Sequence, residues 1–191
     1  MMATVIEEFD AMSIKNVALQ FIKGGTKEDG KPFGCVGTIG GETEMKELIK
    51  RCEGIEAKKT SKPQKHNLTV SAHVDCQVLR DIFGLKTDGL KTGVYSYGTA
   101  SKGANFVLTA DVIDEFEDVT KMIAFPNCST ASGLKINIEN GADEVAEIEL
   151  EFTALADDSG ELYYEAFVDE LEDDVVKTDW HKNFNRELVE A

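Results

Sequence analysis

A strict alternation of apolar and polar residues around position 150 is the feature that most constrains the fold of this chain. The apolar residues take the even positions and the polar residues the odd ones, with Ile148, Leu150, Phe152 and Ala154 in the first set and Glu147, Glu149, Glu151 and Thr153 in the second. Successive side chains of a β-strand point to opposite faces of the sheet. The pattern therefore predicts a strand with one buried face and one wet face, as antiparallel sheets commonly have.

Six segments are predicted as strands, and one of them contains the alternation around position 150. They cover residues 17–22, 94–97, 105–113, 121–125, 145–156 and 161–168. The sequence Asp157-Asp158-Ser159-Gly160 is a turn signal, and it predicts a hairpin that joins the last two of these strands. A chain with this many short strands and few helical patterns is predicted to be mainly β.

One short helix is predicted over about residues 75–83. Asp75 is a good N-cap, Gly84 is a suitable C-terminal stop, and apolar residues between them recur at helical spacing. This helix is expected to flank the sheet.

The region between the first strand and the helix gives weaker signals. Residues 23–44 are rich in glycine and charge, which predicts a long loop, with a loose hairpin as the alternative. Residues 45–74 predict a hairpin that turns near Pro63, because proline lacks the N–H that a central strand needs. A helix over residues 45–51 is the competing interpretation.

Length and charge bound the possible functions. The 191 residues suffice for one domain, which we divide into an N-terminal arm (1–12), a main domain (13–170) and a C-terminal arm (171–191). The formal net charge is -16, so the surface as a whole repels DNA and RNA. No stretch of about 18 apolar residues occurs, and no membrane insertion is expected.

No motif for catalysis or for a cofactor stands out. Gly25, Gly30 and Lys31 have the spacing of a phosphate loop, but Pro32 stands where serine or threonine should hold magnesium. The four cysteines and three histidines show no metal-binding spacing. We therefore expect no enzyme activity, no cofactor and no metal.

Three phrases of the sequence resemble a known family. Thr109–Glu115, Ala124–Asn127 and Phe152–Leu155 resemble segments of the major tail tube proteins of long, flexible-tailed bacteriophages and of phage-tail-like bacteriocins. The resemblance implies an antiparallel β-sandwich of two packed sheets with one flanking helix, a long loop and terminal arms. It also implies hexameric rings, in which the inner sheets of six copies join into one β-barrel.

The resemblance implies a function and partners as well. The rings would stack into the tail tube of a virion, after synthesis in the bacterial cytoplasm, and DNA would pass through the tube without specific binding. The expected partners are other copies of the chain, a tape measure protein inside the tube, and terminator and tail-tip proteins at its ends. A carbohydrate- or receptor-binding β-sandwich of a tail tip or baseplate is the alternative.

Two sets of candidate site residues follow. Glu147, Glu149 and Glu151 share a wet face and are candidates for the lumen of the tube, although the sequence does not decide between lumen and exterior. The glycine-rich segment is the candidate inter-ring loop, expected to order only when rings stack. Its residues are Lys23, Gly24, Gly25, Lys27, Gly30, Pro32, Gly40 and Gly41.

Overall fold

A computed structural model describes residues 5–116, 118–136, 138, 140–141 and 145–190. In this part of the chain the strands are β1 (Ala11–Lys23), β2 (Thr26–Lys27), β3 (Lys31–Pro32), β4 (Gly34–Cys52), β5 (Ile55–Val74), β6 (Asn105–Asp114), β7 (Thr120–Thr130), β8 (Ile148–Ala154) and β9 (Tyr164–Phe167). The α-helices are α1 (Cys76–Phe83), α2 (Asp174–Asp179) and α3 (Arg186–Val189), and Val168–Glu170 form one turn of 3-10 helix.

The strands form one antiparallel sheet, in which the main path runs β2-β1-β6-β7-β8-β5-β4. The two short strands off this path are β3, which pairs with β1, and β9, which pairs with β7. The prediction of a mainly β, antiparallel fold with few helices is confirmed. The sheet of the single chain is not closed. Its separation into two packed sheets and the hexameric barrel stay predictions.

The central strands β6 and β7 are buried on both faces. One face, with Phe106 and Phe125, belongs to the larger apolar cluster, which α1 covers. The other face, with Val107 and Met122, packs against residues that follow β9, among them Trp180. The last residues of the chain therefore complete the core of the described body.

The structure confirms the predicted helix. The Asp75 carboxylate accepts a hydrogen bond from the Gln77 backbone N–H at 2.8 Å, which satisfies one of the donors that a helix start leaves free. Gly84 ends the helix with a φ of 65°, in the left-handed region that favours glycine. The buried face carries Val78, Ile82 and Phe83.

The predicted long loop over residues 23–44 is wrong, and the hairpin predicted over residues 45–74 forms but turns at a different place. The chain forms β2 and β3 and then enters β4 at Gly34, which follows the fully buried Phe33. The β4–β5 hairpin turns at Glu53–Gly54, where φ is 52° and 84°, and no helix forms over residues 45–51. Positive φ at both positions suits a two-residue hairpin turn. Pro63 lies beside a register shift in β5, where a strand tolerates proline.

Two further predictions differ from the structure, one of a strand and one of a strand pairing. Residues 94–97 form no strand, and the only pairing there among the described residues is a bridge between Lys86 and Ser96. The turn at Asp157–Gly160 forms, but β8 and β9 do not pair with each other. Because β7 is longer than either strand, it pairs with β9 along residues 121–124 and with β8 along residues 128–130.

The division into arms and a main domain stays a prediction. On the structural side, β1 begins at Ala11 and α2 lies within the proposed C-terminal arm.

Candidate assembly surfaces

The distal part of the β4–β5 hairpin protrudes from the body. Every residue from 44 to 64 is exposed, a segment that we call the distal hairpin. The third strand of this region, β8, pairs with β5 only from His66 to Ala72. Large apolar side chains are exposed on the distal hairpin, namely Met45, Leu48, Ile49 and Ile55. Because all of its residues are exposed, the distal hairpin is stabilised little by burial within its own chain. An isolated two-stranded hairpin is only marginally stable in water.

The register separates the distal hairpin into two faces. Six consecutive pairs, from Met45↔Pro63 to Lys50↔Lys58, form a regular ladder, so alternate pairs share a face. One face carries the pairs Lys46↔Lys62 and Lys50↔Lys58 with Leu48 and Thr60 between them. We call these four lysines the lysine face.

The four lysines differ from the other cations of the hairpin. Lys59 binds Glu47 at 2.6 Å, Lys65 binds Glu44 at 3.1 Å, and Arg51 lies 3.7 Å from Glu56. Within the described residues, the lysine face makes no ion pair. Like charges directly opposite each other destabilise a strand pair, so the lysine face has a cost within the single chain.

The three candidate glutamates lie on the outward side of β8. Leu150 and Phe152 are buried on the core side, whereas the side chains of Glu149 and Glu151 are 60% and 44% exposed. Lys135 binds Glu151 at 2.7 Å and lies 3.6 Å from Glu149. The hydrogen bond from Lys135 to Glu151 raises the pKa of the Lys135 ammonium group.

Glu147 extends this row toward β4. Its carboxylate lies over the backbone of Gly37. The row therefore crosses β5 and ends on the edge strand of the sheet.

The residues of the predicted inter-ring loop do not form one surface. Lys23 binds Asp81 of α1 at 3.1 Å, Lys27 donates to the Phe184 carbonyl at 3.2 Å, and the Gly30 backbone N–H donates to the Lys182 carbonyl at 2.8 Å. The remaining members lie in the β1–β2 turn (Gly24, Gly25), in β3 (Pro32) and in β4 (Gly40, Gly41). Three of the eight residues, Lys23, Lys27 and Gly30, therefore make contacts within the body.

A partly buried polar cluster on the sheet was not found from the sequence. The imidazole of His181 lies 2.8 Å from an Asp111 carboxylate oxygen and 3.0 Å from the Thr109 hydroxyl, and the Asn16 amide donates to the same carboxylate at 2.7 Å. The order hydroxyl, imidazole, carboxylate is that of a hydrolytic triad. Thr109 is fully buried, so its hydroxyl cannot meet a substrate. The cluster instead fastens the C-terminal residues to β1 and β6.

A groove of about 440 Å³ lies between β1 and β4. Its described lining contains Lys121, Tyr163, Ser13 and Thr38 among apolar residues, and no histidine, cysteine or carboxylate. In the part of the chain that the structure describes, no three acidic, histidine or cysteine side chains are grouped to hold a metal ion. No helix of that part has the length and apolar character needed to cross a membrane.

Comparison with known proteins gives similarities to solved structures only. No protein-family model matches the sequence, and no curated protein is similar to it. Among solved structures, the chain is similar to one described as the tube-terminating cap of the anti-feeding prophage, determined by cryo-EM. The similarity covers 85% of this chain and 95% of that chain, with 9% identity and a TM-score of 0.46. Neither value is high enough to assign a family or a function.

Proposed function

We propose that this chain is a structural protein of a phage-type tail, which catalyses no reaction and polymerises as stacked hexameric rings into the tail tube. The observation that carries the proposal is the distal hairpin, which exposes 21 consecutive residues and four large apolar side chains. Met45 and Ile49 share one face of the hairpin, whereas Leu48 lies on the other face, and apolar side chains exposed on a protruding element favour contact with another protein. The open sheet supports the same proposal, because pairing with neighbouring copies would remove exposed strand edges.

The distal hairpin replaces residues 23–41 as the inter-ring element of the proposal. Deleting residues 23–41 would remove Phe33, a fully buried core residue, together with the first part of β4. The distal hairpin lies outside both apolar clusters, so it can contact another ring without disturbing the body.

A shortened hairpin tests this role. Thr43 and His66 are directly paired, so replacing residues 44–65 by Asn-Gly closes the hairpin with a favourable two-residue turn. Electron microscopy of the purified full-length chain is expected to show rings or tubes. The shortened chain is expected to show the same circular dichroism and cooperative unfolding but no tubes. Normal tubes from the shortened chain would remove the hairpin from the inter-ring contact, and monodisperse monomers of the full-length chain would contradict the tube itself.

For Glu147, Glu149 and Glu151 we propose a position in the lumen. Lys135 neutralises part of the row, so three carboxylates and one ammonium leave a net negative surface. Such a wall repels the phosphates of DNA in transit, whereas a basic wall would bind them. Replacing all three glutamates by lysine should allow assembly but retain polyanions in the channel. A tube structure with these side chains on the outside would refute the position.

One observation favours the alternative, a carbohydrate- or receptor-binding tail component. Tyr95 and Tyr97 are exposed on the segment between α1 and β6, and exposed aromatic rings are typical of sugar-binding surfaces. The guanidinium of Arg80 stacks on the Tyr95 ring at 3.9 Å, so the more exposed Tyr97 is the better candidate. Monomers that bind a bacterial surface polysaccharide, with binding lost in Tyr97→Ala, would establish this function instead.

A further inference from the structure

We propose that the lysine face of the distal hairpin binds a carboxylate-rich surface on a second copy of this chain, and that this ionic contact makes assembly sensitive to salt. The inference rests on the proposed function, because it names the chemistry of the inter-ring contact.

Charge is distributed unevenly between the hairpin and the body. Residues 42–66 contain seven basic and five acidic side chains, which gives a net charge of +2. Because the whole chain carries -16, the rest of the chain carries -18. A protruding element of one sign on a body of the other sign favours contact between copies and opposes contact between two hairpins.

The arrangement of the lysines supports an ionic contact. Each like-charged pair lies directly across the strands, at a Cβ separation of roughly 5 Å. The two pairs are four residues apart along β4, or about 13 Å at the usual rise of a strand. The Cβ atoms of the four lysines therefore form a narrow rectangle, and no carboxylate of the described residues forms an ion pair with their side chains. A second copy that brings carboxylates to this rectangle would remove the cross-strand repulsion and add ion pairs at the same time.

The charge of the body also distinguishes between two classes of anionic partner. DNA could neutralise four lysines, but its backbone would meet a body with a net charge of -18. The body of a second copy suits the lysine face better, because its surplus of carboxylates attracts the lysines. We therefore assign the face to protein–protein contact, and binding of DNA is an outcome that the experiment must separate.

The test compares two variants that lose the same charge. In the first, Lys46, Lys50, Lys58 and Lys62 are replaced by glutamine. In the control, four exposed lysines of the body, Lys15, Lys86, Lys91 and Lys102, are replaced in the same way, and none of these makes an ion pair with a described residue. Both variants are expected to keep the circular dichroism spectrum of the native chain, because all eight positions are exposed.

Assembly is measured by light scattering and microscopy between about 0.05 and 0.5 M NaCl, a range over which the screening length falls severalfold. The lysine-face variant should raise the critical concentration for assembly by about tenfold or more, as expected for four exposed ion pairs of up to about 1 kcal/mol each. Its assembly should depend little on salt. The control should stay within about threefold of the native chain, because its lysines lie outside the proposed contact.

A zero-length carbodiimide cross-linker identifies the partner. In a mixture of ¹⁴N- and ¹⁵N-labelled native chains, cross-links should join the lysine face of one copy to carboxylates of the other. Equal effects of the two variants, or cross-links confined to single copies, would overturn the inference while leaving tube formation in place. Binding of a short DNA duplex that requires the lysine face, together with unchanged assembly of the lysine-face variant, would assign the face to nucleic acid. If native chains form neither tubes nor mixed cross-links, the proposed function and the inference are both rejected. If they form mixed cross-links but no tubes, only the tube is rejected.

Discussion

Replacing Trp180 by alanine should strongly destabilise the folded chain. Trp180 follows α2 and is 1% exposed, its indole N–H donates to the Ile123 carbonyl of β7 at 3.1 Å, and its ring packs edge-on against Phe184 with centroids 4.8 Å apart. Truncating a buried tryptophan to alanine costs about 3–5 kcal/mol. Domains of this size are stable by only about 5–15 kcal/mol, so the loss is a large fraction of the total.

Urea denaturation of the unassembled chain measures this loss. With an m-value of about 2 kcal/mol per molar urea, the midpoint should fall by roughly 2 M. The protein concentration must stay below that of assembly, because association would add to the apparent stability. Val175→Ala on the same helix is the control, since Val175 is 55% exposed and its truncation should change stability by less than about 0.5 kcal/mol. If Trp180→Ala shifts the midpoint no more than Val175→Ala, residues 171–191 are not packed on the sheet and behave as the C-terminal arm that the sequence predicts.

Two further predictions concern the core. Gln20→Met should stabilise the chain by roughly 1 kcal/mol, because the Gln20 amide is fully buried and has no hydrogen-bond partner among the described residues; an unchanged or lower urea midpoint would contradict this. In the unassembled chain, an alkylating reagent should label the exposed residues Cys35, Cys52 and Cys76 and spare Cys128, because full burial raises the pKa of the Cys128 thiol. Mass spectrometry should count three labels in buffer and four in urea. A fourth label on the folded chain would refute the burial of Cys128.

The elements that the sequence predicts well are those whose cause is local. The alternation of β8 is visible because its core face is apolar and its outward face is acidic within seven residues. Helix α1 is visible because Asp75 and Gly84, which cap it, lie directly beside its buried residues. In both cases the residues that determine the element are neighbours in the chain.

The elements that the sequence predicts poorly depend on residues far apart. The pairing of β9 with β7 instead of β8 follows from the length of β7, which no turn signal between β8 and β9 reveals. The cluster of His181 with Asp111 joins residues 70 positions apart. The hairpin turn at Glu53–Gly54 was missed for a different reason, because glutamate at the first position is not among the residues that usually signal such a turn.

The distal hairpin gave only a weak strand signal, and left a helix as the competing interpretation, for the reason that makes it a candidate contact. Strand prediction relies on a face that is buried within the same chain, and residues 44–64 have none. Their pattern is instead an alternation of charge, with unpaired lysines on one face and Met45, Ile49 and the Glu47–Lys59 ion pair on the other. Selection for stability of the isolated chain alone would disfavour two directly opposed lysine pairs, since they cost energy and make no ion pair with a described residue. Their presence is therefore best explained by a surface that the single chain does not contain, and the acidic body of a second copy has the charge to provide it.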